Sequence, residues 1–221
     1  HWDDFKGVDV NGKVLVLFTN EPPSNDPKFF GGKALTYYGR WTYKYEEAAR
    51  HGAKAVFIIH TTPTAGYGWE VVRSSWSGED PQLKLPAGQP ALGFAAWFTK
   101  DAGERLVAMA GKNVDELLKA ANSPGFHPIP LGIHIRGNIP TKIRAIESHN
   151  VVAMIPGSDP KLRSEAVVFS AHWDHLGIGP AVNGDKIYNG AVDNATGCAP
   201  RLEMARDGGA LPEQPDGKSA G

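Results

Sequence analysis

The chain opens with short apolar runs set between polar and turn-forming stretches. "NGKVLVLF" begins on an Asn-Gly turn and predicts a buried strand over Lys13–Phe18, ended by the Pro/Ser/Asn/Asp cluster "NEPPSNDP". "RWTYKYEEAARHG" spaces its residues as a helix, with Thr42 as N-cap and Gly52 as the stop beyond its end. "AKAVFIIH" follows at once as a second buried strand, so this region alternates strand, helix and strand. Residues 61–90 are rich in Gly, Pro, Ser and Trp and predict long surface loops. Thr99 predicts the cap of a helix running to Ala110. Asn113, with Glu116 three residues on, predicts the start of another that ends near Asn122. "NSPGFHPIPLG" is a breaker segment and marks a boundary at about residue 130.

Beyond it the pattern changes. "GIHIRGNIPTKIRAIESHNVVAMIPGSDP" alternates apolar and polar residues and closes on a Pro-Gly turn, which predicts two strands of a hairpin or meander. "EAVVFSAH" is a near-continuous apolar run and predicts a strand buried on both faces of a mostly parallel sheet. The expected architecture is an α+β module over residues 1–130, then the opening strands of an α/β sheet over 131–206. A polar, Gly-rich tail or linker follows over 207–221.

A chain of 221 residues can bury a core and suggests one or two domains. Its 41% apolar and 21% charged content is that of a soluble globular protein. A formal net charge of −1 leaves no basic footprint for nucleic acid and no polybasic membrane patch. The apolar runs are too short to span a bilayer. Cys198 stands alone, which excludes an internal disulfide and a cysteine-based zinc knuckle and leaves the redox compartment open. With His1 first and "PEQPDGKSAG" last, the chain is expected to be a piece of a longer precursor.

Candidate chemistry gathers in "SAHWDHLGIG", residues 170–179. His172 falls at the carboxyl end of the predicted strand, where sites form in open α/β sheets. An imidazole binds zinc well near neutral pH when its other ring nitrogen is held by an acceptor. Asp174, two residues on, could be that acceptor, or could point into the loop and cap it. Asp193, in "NGAVDNATGCA", lies 21 residues after His172 at the predicted start of a helix through "RLEMAR". A carboxylate there could bridge two zinc ions about 3.5–4 Å apart, or Asp193 and Asn194 could cap the helix. Pro200 and the "DGGA" glycines imply either that this helix is short or that the sequence here differs in the intact enzyme. On spacing alone an H-x-D is a weak motif, and both readings stand.

The remaining histidines, His51, His60, His127, His134 and His149, are scattered without ligand spacing, and His175 reads as a loop residue or an additional ligand. Trp41, Tyr43, Tyr45, Trp69 and Trp76 read as packing residues, while "GYGWEVVRSSW" could border a substrate cleft. Serine-based hydrolysis has no support, since there is no G-x-S-x-G, and Cys198 has no base nearby in sequence.

"SAHWDHLG" followed by "YNGAVDNATGCA" resembles the co-catalytic zinc aminopeptidases of metallopeptidase family twenty-eight, a family that also holds glutamate carboxypeptidases and the inactive transferrin receptors. The resemblance implies that His172 binds one of two zinc ions, that Asp174 orients it, and that Asp193 bridges both metals. Val192 stands where many members have an Asp that is not the bridging ligand. "GKALTYYGRWTYKYEEAARHGAKAVFIIHTT" resembles the protease-associated domain that many of these peptidases carry inserted, so the first module is expected to be that β-rich domain with helices.

The same resemblance implies a Glu-Glu pair, a further Asp and a distal His, which nothing here matches: Glu203 falls in the predicted helix and Glu213 in the tail. The parent is then expected to be a secreted or periplasmic zinc aminopeptidase acting on peptides, with carboxypeptidase action left open. The truncated chain itself is expected to be inactive, to bind zinc weakly or not at all, and to self-associate through an incomplete sheet. The alternative is a protease-associated module that binds peptide or protein in a non-catalytic relative.

Overall fold

Strand β1 (Val14–Phe18), β2 (Ala55–Ile59) and β3 (Phe94–Phe98) form one parallel sheet in the order β1-β2-β3. This computed structural model describes residues 2–76, 78–79 and 81–210, which divide into a unit ending at Pro140 and another beginning at Thr141. Every residue of the central strand β2 is buried, as its unbroken apolar run "AVFII" requires of a strand covered on both faces.

Successive side chains on a strand point to opposite faces, and the two cores of the first unit follow that alternation. Val56 and Ile58 pack with Leu15 and Ala48 on one face, where Trp41 and Tyr45 of helix α1 (Trp41–Arg50) close over them. Ile59 and Phe18 pack with Val107 and Val114 on the other, under α4 (Lys100–Ala108) and α5 (Val114–Ala121). Helices therefore cover both faces of a parallel sheet. The α+β expectation for this unit gives way to α/β.

The expected helix ends are realised in two cases and displaced in a third. Thr99 Oγ1 accepts from Ala102 N at 3.1 Å, and Asn113 Oδ1 accepts from Glu116 N at 3.1 Å. Helix α1, by contrast, begins at Trp41 with Arg40 as N-cap, so Thr42 lies inside it. At its other end Gly52, with φ 75°, supplies the left-handed residue after the helix. Residues 61–90, expected as loops, contain α2 (Thr62–Ala65) and α3 (Trp69–Trp76). The latter turns Val72 inward and sets Trp76 against Trp41, with ring centroids 4.9 Å apart. Two tryptophans in "GYGWEVVRSSW" thus bound a short amphipathic helix.

The second unit holds an antiparallel hairpin, β4 (Gly177–Val182) and β5 (Asp185–Tyr188), and helix α6 (Thr196–Ala210). Asn183 (φ 52°) and Gly184 (φ 87°) form its two-residue turn, the Asn-Gly geometry that matches the twist of paired strands. The hairpin or meander expected within residues 132–160 is not formed, and neither is the buried strand expected over "EAVVFSAH". Val151, Val152, Val167 and Val168 are each more than four-fifths exposed. A strand exists only beside another that accepts its main-chain bonds, and among the described residues of this unit no strand lies against these runs. Helix α6 runs through Pro200 and the glycines that argued for a short helix. It takes in residues 207–210 of the expected tail, and 211–221 lie outside the described residues.

Candidate metal centre

The site is built between the stretch that carries His172 and the start of α6. Ahead of α6 the chain makes a π-type turn, Ala191–Ala195, in which Asp193 (φ −114°, ψ 87°) leaves helical angles. Gly190 precedes it at φ 66°, and a Cβ there would lie 3.0 Å from His175 Cβ and 2.8 Å from the Asp193 carbonyl oxygen. Only glycine fits at that left-handed, crowded position. The first turns of α6 are tied back: Cys198 Sγ donates to the His172 carbonyl at 3.3 Å, and the Arg201 guanidinium donates to the carbonyls of Ser170 and Gly197. The lone cysteine thus bonds the main chain of the candidate histidine.

His172 sits between two carboxylates. Its Nδ1 donates to the Asp174 carbonyl oxygen at 2.7 Å and lies 3.3 Å from Asp174 Oδ1, while Nε2 lies 2.9 Å from Asp193 Oδ1. The Asp174 carbonyl bond, with the charge of Asp193 next, raises the His172 pKa above its ordinary value. His175 Nδ1 stands 3.9 Å from the other Asp193 oxygen, and its side chain is the least exposed of the four.

The arrangement fits part of a metal shell. An imidazole held at Nδ1 by an aspartate presents Nε2 outward, which is how zinc-binding histidines are oriented. Asp174 faces the wrong ring nitrogen to join Nε2 in binding an ion, so the converging donors are His172 Nε2 and the Asp193 carboxylate. A tetrahedral zinc ion takes four, and a co-catalytic pair takes more. Among the described residues no group of three or more His, Cys, Asp or Glu is placed to hold a metal ion. Among the described residues, His172 Nε2 and the Asp193 carboxylate are two converging donors and do not make a closed metal shell. No catalytic step can be drawn from these residues alone.

All three residues expected from sequence meet here. His175 also reaches the cluster, and its adjacency in H-x-D-H was the available signal. Residues 150–218, under a third of the chain, match Peptidase family M28, and the matched stretch contains all four residues. The match supports that family and a peptidase-related function, and peptidases of this family are generally zinc-dependent. No curated protein and no solved structure matches the chain. No helix among the described residues is long and apolar enough to cross a membrane.

Proposed function

We propose that the chain is part of a zinc-dependent aminopeptidase that removes N-terminal residues from peptides. In this reading His172 and Asp193 would hold the metals, Asp193 being shared by both, and Asp174 would orient the imidazole. The observation that carries the reading is the orientation of His172, with Nδ1 bonded at Asp174 and Nε2 facing Asp193, inside the stretch that matches Peptidase family M28. Secretion or export to a periplasm belongs to the same proposal, as does a protease-associated character for the first unit.

Two converging donors predict weak zinc binding and no turnover of a leucine chromogenic amide by the chain on its own. Calorimetric zinc titration tests the assignment. His172→Ala and Asp193→Ala should abolish the binding, and Asp174→Ala should weaken it by about 10- to 100-fold, the scale for a lost orienting partner. Zinc affinity unmoved by His172→Ala overturns the proposal.

A further inference from the structure

A cavity of about 1270 Å³ borders β1 within the first unit, and Lys44 of α1 lines it. Phe5, Val8 and Leu17 line it as well, and these side chains pack against the apolar core under α1. The half-buried Lys44 side chain reaches the end of β1, where Nζ donates to the Asn20 carbonyl oxygen at 3.0 Å.

An ammonium drawn out of water is normally paired with a carboxylate. Asp4 and Glu21 are the carboxylates whose charge acts on Lys44, and both are bonded elsewhere. Asp4 accepts from Trp2 Nε1 at 2.7 Å. Glu21 accepts from Thr36 N at 2.8 Å and from Gly39 N at 3.0 Å, which ties down the segment ahead of α1. Among the described residues neither forms a salt bridge with Lys44. The amine is thus fixed by one neutral carbonyl in a cavity with an apolar wall. A desolvated lysine amine is a nucleophile, and the one that condenses with carbonyl compounds. Burial works in the same direction, lowering the Lys44 pKa against the pull of Asp4 and Glu21.

The two carboxylates select among electrophiles by charge. Acylation would turn the ammonium into a neutral amide, and carbon dioxide would turn it into an anionic carbamate. Either product leaves Asp4 and Glu21 without a cation. Condensation with an aldehyde preserves the charge. The Nζ lone pair forms the bond to the carbonyl carbon, the C–O bond breaks, and the oxygen leaves as water with two of the three ammonium protons. The third stays on the protonated imine. The apolar wall of Phe5, Val8 and Leu17 then favours an aldehyde whose other substituent is apolar.

We propose that Lys44 is a covalent capture site for apolar aldehydes, which it binds as a protonated imine in the cavity beside β1. The site lies in the first unit and does not rest on the zinc reading.

The test incubates the full chain at neutral pH with hexanal and cyanoborohydride, which reduces the imine to a stable secondary amine, and locates labelled lysines by peptide mass mapping. Lys13 and Lys54 line the same cavity but are exposed, and they serve as internal controls. We expect Lys44 to be labelled ahead of both. The preference for hexanal over glycolaldehyde should be at least about tenfold greater at Lys44 than at Lys54, since each buried methylene favours binding by about fourfold. A hexanoyl thioester, which delivers the same chain by acylation, should favour Lys44 over Lys54 less than hexanal does. Lys44→Arg keeps the charge and a donor for the Asn20 carbonyl, and should lose the fast label while Lys13 and Lys54 react as before. The proposal is overturned if Lys13 or Lys54 is labelled as readily as Lys44, or if the hexanal preference is the same at Lys44 and Lys54. It is also overturned if the thioester favours Lys44 as strongly as hexanal does.

Discussion

Replacing Gly103 by alanine sets two effects of known sign against each other. Gly103 lies inside α4, where alanine is favoured over glycine by about 1 kcal/mol. A Cβ built there would fall 2.7–2.8 Å from Cγ2, Cδ1 and Cγ1 of Ile59, against the ~3.5–4.0 Å of an ordinary carbon contact. Ile59 is fully buried in the central strand, and two of the three atoms are the branches at its own Cβ, which leaves its χ1 little freedom to yield. Overpacking of a close-packed core costs about 1–3 kcal/mol, and three simultaneous overlaps put this case in the upper half. The net expectation for Gly103→Ala is a loss of about 1–2 kcal/mol. Urea unfolding of the full chain, followed by fluorescence of Trp41 and Trp97, reads it as a lowered midpoint. Ile59→Ala alone should cost about 2–5 kcal/mol. Combined with Gly103→Ala it should cost less than the two single losses together, by about 1 kcal/mol or more, because the new methyl enters the vacated space. A midpoint that rises in Gly103→Ala, or strict additivity in the double variant, would refute the seating of α4 on Ile59.

Two further outcomes follow from the first unit. Asn113→Ala removes the acceptor for Glu116 N and should cost about 1 kcal/mol, with the loss of amide protection confined to the first turn of α5. Burial lowers the Lys44 pKa, so the folded state disfavours its charge below that value. The unfolded chain releases the same proton only near 10.5, so stability should rise with pH between the lowered value and 10.5. Urea midpoints should climb relative to those of Lys44→Met as the pH is raised toward 10.5, and parallel curves for the two proteins would contradict this.

Much of the first unit was legible because its signals are local. The capping residues Thr99 and Asn113 and the C-terminal Gly52 each act within a few positions of themselves, and "AVFII" could only be a covered strand. Thr42 misled because Trp41, which buries its ring over the sheet, extends the helix one residue earlier. "WEVVRSSW" was hidden by the glycines and prolines around it. The second unit failed for a different reason. "EAVVF" has the apolar content of a core strand, but a strand's existence depends on neighbours, and no strand lies beside it among the described residues. The Asn183–Gly184 turn is readable by the same Asn-Gly rule that applies at Asn11–Gly12. At the site, the meeting of His172, Asp174 and Asp193 was anticipated from the motif. For His175 the adjacency in H-x-D-H left both a loop residue and an additional ligand open, and its 3.9 Å approach to Asp193 depends on how the chain turns ahead of α6.

The central claim, that His172 and Asp193 bind zinc while Asp174 holds the imidazole, is tested most directly by ¹⁵N imidazole NMR of His172 during a zinc titration. The account predicts that Nε2 shifts with zinc, that Nδ1 keeps its proton toward Asp174, and that Asp193→Ala removes the response. Zinc binding that leaves His172 unchanged, or that displaces the proton from Nδ1 instead, would contradict it.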